Sequence, residues 1–331
     1  MTAQPLTEIT RVVQQALERH GAAPVAAAEV ARAVARAEAF GNRICGLYYL
    51  ESYCKQLQTG RVNGQVVPTL SRPRPGAVVV DAGFGFAQPA FTYGLAPALD
   101  AARQNGVASR AITQAHTCTS LGYFTEQVAQ AGMMCLGFTN ASPIVAAPGG
   151  KTRVIGTNPI AFSVPDGAGG LAFHMDQSTT AVALGKITMA KAAGEPIPEG
   201  WAVDAEGHAT TDPEAALAGA LVSSGGYKGW GFGLMAELMA AALAGGVLSG
   251  DVNPLKAPEG PPHDLGQYYL LIDPDVSDVF WQRLTDLATA VAQDDGARMP
   301  GQGRQPADPA PLDPAAWAQA LELAGEAAKS A

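Results

Sequence analysis

An α/β fold class follows from three features of the sequence. From residue 77 onward, short runs rich in valine, isoleucine and leucine alternate with longer amphipathic or alanine-rich stretches, the order of strands and helices in an α/β protein. Several of those apolar runs end in small polar residues or glycine, as strand ends do where the chain turns into a helix. Residues 1–75 read instead as helical, and Pro73 and Pro75 mark the boundary between the two parts.

In order along the chain, residues 6–39 form two helices: Ile9, Val12, Val13 and Leu17 lie on one stripe, and an Ala/Val-rich segment runs from Pro24. His20, beside Gly21, reads as a helix-end residue. A third helix over 47–57, stopped by Gly60, carries Tyr48, Tyr49 and Tyr53, which fit simple aromatic packing. Ala77-Val78-Val79-Val80-Asp81 is the first strand, and the helix over 89–104 ends at Asn105-Gly106. The next strand, 109–114, delivers the chain to His116-Thr117-Cys118-Thr119-Ser120 ahead of a helix over 123–131. Strand-to-helix junctions combine free amides with a helix start and are common ligand positions; His116 as a simple cap fits these residues too.

Strands at 133–138 and 160–165 flank Gly156-Thr157-Asn158-Pro159, a group that turn chemistry alone explains. The strand from Leu171 ends in Asp176-Gln177-Ser178 before a helix over 182–192, and Asp176 or Ser178 also suits the N-cap. A Pro/Gly-rich loop over 194–212 contains a small β-turn region at 204–208, with His208 as a turn residue; His263 lies in another Pro-rich loop. Gly225-Gly226-Tyr227-Lys228-Gly229-Trp230-Gly231-Phe232-Gly233-Leu234 then precedes an apolar helix over 235–243. Two readings of this stretch fit: a backbone brought close to an anion with Lys228 as ligand, or a glycine-rich connection with Lys228 in solvent. A strand over 267–273, a helix over 276–291, the basic turn at 298–304 and a final helix over 315–329 complete the chain.

The formal net charge of −9 over 331 residues, with no dense Lys/Arg run, leaves nucleic acid or an anionic membrane without an electrostatic basis as partner. No window is apolar and long enough to span a bilayer, and the first residues lack the pattern of a secretory signal. Four irregularly spaced cysteines form no CxxC pair and no disulfide framework, which suits free thiols and a cytoplasmic protein; no histidine has a partner at metal-ligand spacing. The GxGxxG dinucleotide fingerprint, Walker A, HExxH and GxSxG are all absent.

Taken together and in order, the strand ends resemble the type-2 malate/L-lactate dehydrogenase family, whose relatives include sulfolactate and ureidoglycolate dehydrogenases, diketogulonate reductase and the reductases of piperideine-2-carboxylate and pyrroline-2-carboxylate. The matching stretches are His116 to Gly122, Gly156 to Pro159, Asp176 to Lys186, Pro198 to Trp201, Thr210 to Pro213, Gly225 to Leu243 and Met299 to Gly301. The resemblance implies an NAD(P)-dependent oxidoreductase whose α/β nucleotide-binding domain is not a Rossmann fold. It also implies a homodimer, with a mainly helical domain built from both chain ends: residues 1–75 joined by 305–331, against 76–304. Carried over by position, the nucleotide would contact His116, Thr117, Cys118, Thr119 and Ser120, Asp176, Gln177 and Ser178, Tyr227 and Lys228, and Met299, Pro300, Gly301, Gln302, Gly303 and Arg304; Thr157 would face the substrate. Lys228 and Arg304 would supply cations for phosphates.

The departures bear on mechanism. Most members carry Ser-His-Gly and then an arginine four residues after the histidine; the histidine donates a proton and the arginine holds a carboxylate. Alignment through Gly41, Gly46, Tyr53 and Gly60 puts Ile44, Cys45 and Tyr49 at those positions. Lys186 stands where some imino-acid reductases have an acid, as it does in other members. A carbonyl under reduction needs a proton at the developing alkoxide, whereas an iminium is already the electrophile. The replaced histidine therefore favours reduction of a cyclic imine or other unusual substrate in a biosynthetic pathway, or an acid recruited from Cys45, Tyr49, Tyr48 or His116, with Tyr48, Thr157 and Lys186 bordering the substrate. Cys45 equally suits a small core residue. Two alternatives remain at this stage: a catalytically silent nucleotide-binding homologue, and a conventional 2-hydroxy-acid dehydrogenase.

Overall fold

The computed structural model describes residues 2–326. Helix α1 (Leu6–Arg19) buries Ile9, Val12, Val13, Ala16 and Leu17, one stripe at three- and four-residue spacing. It packs on α2 (Pro24–Ala39), which starts with proline at its first turn. Two single 3₁₀ turns, Arg43–Cys45 and Leu47–Tyr49, precede α3 (Leu50–Thr59), which stops at Gly60 with φ 77°. The helix expected from residue 47 thus begins three residues later. The cause is Glu38: its carboxyl lies where a Cβ on Gly46 would overlap it and accepts the Leu47 N–H at 2.7 Å, which pins residues 43–49 to α2.

The chain ends meet over this helical group. Strand β1 (Thr2–Gln4) pairs antiparallel with a late strand, Ala310–Leu312, and the last helix, Pro314–Ala324, adds Trp317 and Ala320 to the core of α1, α2 and α3. The final helix expected over 315–329 ends at Ala324, and residues 327–329 of it lie outside the described residues.

A seven-stranded sheet forms the α/β part. Its strands are β2 (Thr69–Arg74), β3 (Ala77–Asp81), β4 (Val107–Ala115), β5 (Met134–Thr139), β8 (Ile160–Pro165), β9 (Leu171–Gln177) and β12 (Leu265–Ile272); β6 (Val145–Ala146), β7 (Arg153–Ile155), β10 (Ala202–Val203) and β11 (Ala220–Leu221) form a smaller sheet. The large sheet runs β2-β3-β4-β12-β5-β8-β9; β3 and β4 pair parallel and every other pair is antiparallel. Edge strand β2 escaped the sequence pattern because it is mostly exposed and contains Pro73, so it lacks apolar alternation. Helices α4 (Ala87–Asn105) and α5 (Gly122–Gln130) pack on the sheet around Phe91, Phe124 and Tyr269.

The glycine-rich stretch is not a connection before a helix. It is the helix: α8 spans Tyr227–Glu237 and continues as a π turn over Leu238–Leu243, after α6 (Leu184–Ala193) and α7 (Pro213–Ala218). Its glycines answer a packing need that helix propensity does not register. A Cβ on Gly229 would overlap the Ser224 carbonyl, and one on Gly233 would lie 3.1 Å from Thr179 Oγ1 and closer still to Ile155. Helix α9 begins at Phe280 rather than 276, behind a separate 3₁₀ turn at Pro274–Val276. Among the described residues no helix is long and apolar enough to cross a membrane.

Candidate active site

Strand β9 organises the site. The Asp176 carboxyl accepts the Ser120 hydroxyl at 3.0 Å and the Gly122 N–H at 2.8 Å, tying the start of α5 to the strand. Gly122 is required there, since a Cβ would lie 2.7 Å from Asp176 Cβ and 2.9 Å from His174 Cε1. On the other flank, the His174 N–H donates to the Pro300 carbonyl at 2.9 Å, and Gly301, with φ 81°, sits directly against His174. Past the strand end, the Ser178 and Thr180 hydroxyls meet at 2.8 Å, Thr179 N–H donates to Thr157 O, and Ser224 N–H donates to Thr179 O, just ahead of Tyr227 and Lys228. Segments far apart in sequence, at 120–122, 157, 224 and 300–301, are thereby gathered along this strand and its end.

A cleft of about 310 Å³ opens between this strand and the C-terminal end of α2. Ala33, Arg36, Phe40 and Asn42 form one wall; Ser120, Asp176 and Gln177, with Pro300, Gly301 and Arg304, form the other. Burial raises the Asp176 carboxyl above the usual carboxylate range, opposed by its two hydrogen bonds. His174 is pulled down by burial, and its Nδ1 pairs with the Ser163 hydroxyl at 2.8 Å. Sequence reasoning missed the α2 wall. An arginine and a phenylalanine at the end of an alanine-rich helix give no motif; only the packing of α2 against α4 brings them to the cleft wall opposite β9.

His116 lies elsewhere, in the seam between α3 and the sheet. It is 1% exposed, its Nε2 meets Gln56 Oε1 at 2.8 Å, and its ring stacks on His263 at 3.9 Å. Burial, followed by the charges around His263 and Arg61, holds it well below the ordinary histidine value, so it is neutral near pH 7. Thr117 and Cys118 are buried behind it, and the chain turns outward at Thr119, which has φ 62°.

The 43–49 segment borders the same strand. Cys45 is half-buried; burial pushes its thiol up to about 12, with the negative charge of Asp176 adding to the shift. Tyr49 stacks on Tyr53 at 5.9 Å and is likewise pushed up to about 12 by burial. Both hold their protons at neutral pH. Ile44 is 52% exposed and lies 3.7 Å from where a Cβ on Gly185 would sit, so the start of α6 faces this segment; Lys186 is exposed beside it. Tyr48 lines a different hollow with Glu51 and α10 (Pro314–Ala324), its ring 3.6 Å below the Lys256 ammonium.

The sequence model described as malate/L-lactate dehydrogenase matches residues 5–310. The chain belongs to the malate/L-lactate dehydrogenase family. A family relative from Chromohalobacter salexigens, named (2R)-3-sulfolactate dehydrogenase (NADP(+)), is 38% identical over 302 residues, covering 90% of each chain. The Δ1-pyrroline-2-carboxylate reductase of Ancylobacter novellus is 36% identical over 90% of this chain and 89% of its own. Among solved family structures, the Δ1-piperideine-2-carboxylate reductase of Pseudomonas syringae pv. tomato superposes with a TM-score of 0.86 at 30% identity, over 98% of this chain and 100% of that one. The ordered strand-end motifs therefore identified the family correctly.

Proposed function

We propose that this protein is an NAD(P)H-dependent reductase that delivers hydride to the C=N or C=O group of a small substrate, with a cyclic imine favoured. The observation that carries the preference is the 43–49 segment: Cys45 and Tyr49, at the positions of the family's proton donor and carboxylate-binding arginine, are both uncharged, with pKa values near 12. The dehydrogenase and imine-reductase names of its relatives support the reaction class.

The residues around β9 fit a dinucleotide. Gly225 and Gly226 have φ of 65° and 64° with open space at their Cβ positions, leaving backbone exposed ahead of α8, and Lys228 and Arg304 provide cations. A bound nicotinamide would supply the hydride. On the protein side, Thr157 stands at the strand end to orient the substrate, and Ile44 faces the start of α6 on one flank. An iminium takes the hydride at carbon, and its bonding pair settles on a nitrogen that already carries its proton. No acid from residues 43–49 is needed. A ketone leaves an alkoxide and needs one. His116, buried and neutral, acts in this reading as packing for the seam rather than as acid or nucleotide ligand.

The finer architecture belongs to the same reading. One parallel pair in a seven-stranded sheet supports a cofactor domain other than a Rossmann fold, and the shared core of the chain ends supports a helical domain of 1–75 with 305–331 against 76–304. Exposed Met189, Phe232, Leu238 and Leu243 on α6, α8 and its π turn are apolar side chains that a second copy in a cytoplasmic homodimer would cover.

The test is NADPH and NADH binding by fluorescence, followed by turnover with Δ1-pyrroline-2-carboxylate, Δ1-piperideine-2-carboxylate and pyruvate. Binding with faster imine than ketone reduction is expected. Absence of binding would overturn the reading, and binding without any turnover would favour a silent homologue. Robust malate or lactate oxidation would restore the conventional dehydrogenase.

A further inference from the structure

We propose that Lys256 is a specificity-determining cation of the substrate site, where it holds a carboxylate carried by the imine. The proposal rests on the imine-reductase reading above and deepens it by a residue from a loop that the reading does not use.

Residues 253–263 form a strap between the two parts of the chain, and it starts beside the turn that carries Thr157. The Asn253 carbonyl accepts the Ser142 hydroxyl at 3.3 Å, and the Ala141 carbonyl lies 2.4 Å from where a Cβ on Gly156 would sit. From there the strap crosses to α3 and the residues just past it, whose side chains hold its carbonyls. Arg61 Nη1 donates to Pro254 O at 3.0 Å, Thr59 Oγ1 to Pro258 O at 2.7 Å and Arg61 Nε to Pro261 O at 3.0 Å. Gln56, fully buried, fixes the centre: its Nε2 donates to Leu255 O at 2.8 Å and to Ala257 O at 2.7 Å, and its Oε1 meets His116 Nε2 at 2.8 Å. Lys256 lies between those two pinned carbonyls, so its side chain starts from a fixed backbone.

That side chain reaches the 43–49 segment. Its ammonium stands 3.6 Å from the Tyr48 ring centroid and 5.6 Å from that of Tyr49. Aromatic faces orient an ammonium without neutralising it. Glu51 and Glu326, which border the same hollow, are engaged by Lys55 at 2.5 Å and by Arg11 at 2.6 Å, and among the described residues no carboxylate lies within ion-pair distance of Lys256. Its charge is left for a ligand. Cys45 and Tyr49 cannot supply one, since both are uncharged near pH 7.

The sign of that charge selects the substrate. An iminium is itself a cation, and an ammonium nearby repels it unless an anion stands between them. A carboxylate on the carbon of the C=N group supplies that anion within the substrate, pairs with Lys256 and offsets the repulsion. An imine without the acid group meets the repulsion alone, so one residue attracts one class and rejects the other.

Steady-state reduction of Δ1-pyrroline-2-carboxylate and of 1-pyrroline, which lacks the acid group, by wild type, Lys256→Met and Lys256→Arg at saturating NADPH tests the proposal. Lys256 is exposed, so neither variant threatens the fold. Wild type is expected to favour the carboxylated imine by at least about tenfold in kcat/KM. Lys256→Met should raise KM for that imine about tenfold with kcat and NADPH affinity within about twofold, and should improve kcat/KM for 1-pyrroline about threefold. Lys256→Arg keeps the charge and should hold KM within about threefold of wild type. An unchanged KM for the carboxylated imine in Lys256→Met, or equal losses on both imines, would overturn the proposal and leave the acid group to another cation such as Lys186. Wild type that binds NADPH and reduces neither imine would remove the proposed function itself, and this assignment with it.

Discussion

The β9 cleft and the neighbouring 43–49 segment are built on different principles. Around β9 the fixed contacts run largely through backbone: Gly122 N–H to Asp176, His174 N–H to Pro300, Thr179 N–H to Thr157, Ser224 N–H to Thr179. Small residues allow these approaches, and a Cβ at Gly122 or Gly301 would break them. The 43–49 segment is held just as firmly, by Glu38 on Leu47 N–H, yet its chemistry resides in the side chains of Ile44, Cys45 and Tyr49. A site made of backbone survives most substitutions, whereas a site made of three side chains can be rewritten without disturbing the fold. On the proposed reading, that contrast lets a nucleotide-binding strand end stand beside an altered 43–49 segment.

The largest expected effect lies on the backbone-built side. Glu237 on α8 accepts Ser249 N–H at 2.6 Å, the Ser249 hydroxyl at 2.6 Å and Asn158 Nδ2 at 2.7 Å, all buried, and so clamps the 156–159 turn to the helix. Glu237→Ala would orphan three donors and should cost about 3–5 kcal/mol of stability, measured by chemical denaturation. A loss below about 1 kcal/mol would show that the scaffold tolerates change there as readily as at residues 43–49.

Next comes an attempt to write the missing chemistry back. Cys45→His combined with Tyr49→Arg should raise 2-oxo-acid reduction about a hundredfold, the usual contribution of a positioned acid, without weakening NADPH binding. No gain, with the cofactor still bound, would mean that the carbonyl-reducing geometry was lost elsewhere as well.

The sequence made the backbone-built side legible because glycine and small polar residues at strand ends form recurring strings, such as Asp176-Gln177-Ser178 and Met299-Pro300-Gly301. The glycine-rich string was recognised but misplaced: Gly229 and Gly233 punctuate a loop in sequence terms, yet in the fold they are the faces on which α8 meets Ser224, Ile155 and Thr179. His116 shows the converse. A histidine at a strand-to-helix junction reads as a ligand or a cap in sequence, and in the fold it is stacked on His263, 147 positions later. Arg36 and Phe40 carried no sequence signal because their place opposite β9 depends on the packing of α2 against α4.

That histidine pair gives a smaller, pH-dependent effect in the seam between α3 and the sheet. Burial holds His263 down at about 3 and His116 well below its ordinary value. Unfolded, both take up protons near pH 6.5; folded, they do not, so stability is full above that value and falls as the pH drops. Between pH 6.5 and 5.5 the loss should be about 2 kcal/mol from the pair, read from urea midpoints. The partly buried Asp176 and Asp264 act in the opposite sense, since burial raises both carboxyls and their cost is relieved on protonation. A His263→Gln variant with an unchanged pH slope would remove His263 from this account.

The smallest expected effect is the most discriminating. Cys45→Ala removes a thiol that burial and the Asp176 charge keep protonated, with its pKa near 12. As proton donor to an alkoxide such a group would matter, and its loss should cut turnover by about a hundredfold. Beside an iminium it has nothing to donate, so imine reduction should keep kcat/KM within about threefold, and NADPH affinity within about twofold, because the β9 contacts do not pass through it. A large loss in kcat with unchanged KM would make Cys45 the acid and erase the contrast between the proposed cofactor end and a silent 43–49 segment. A small loss for the imine together with a large one for a ketone would sharpen that contrast, since a single side chain would then separate the two substrate classes on one unaltered cofactor site.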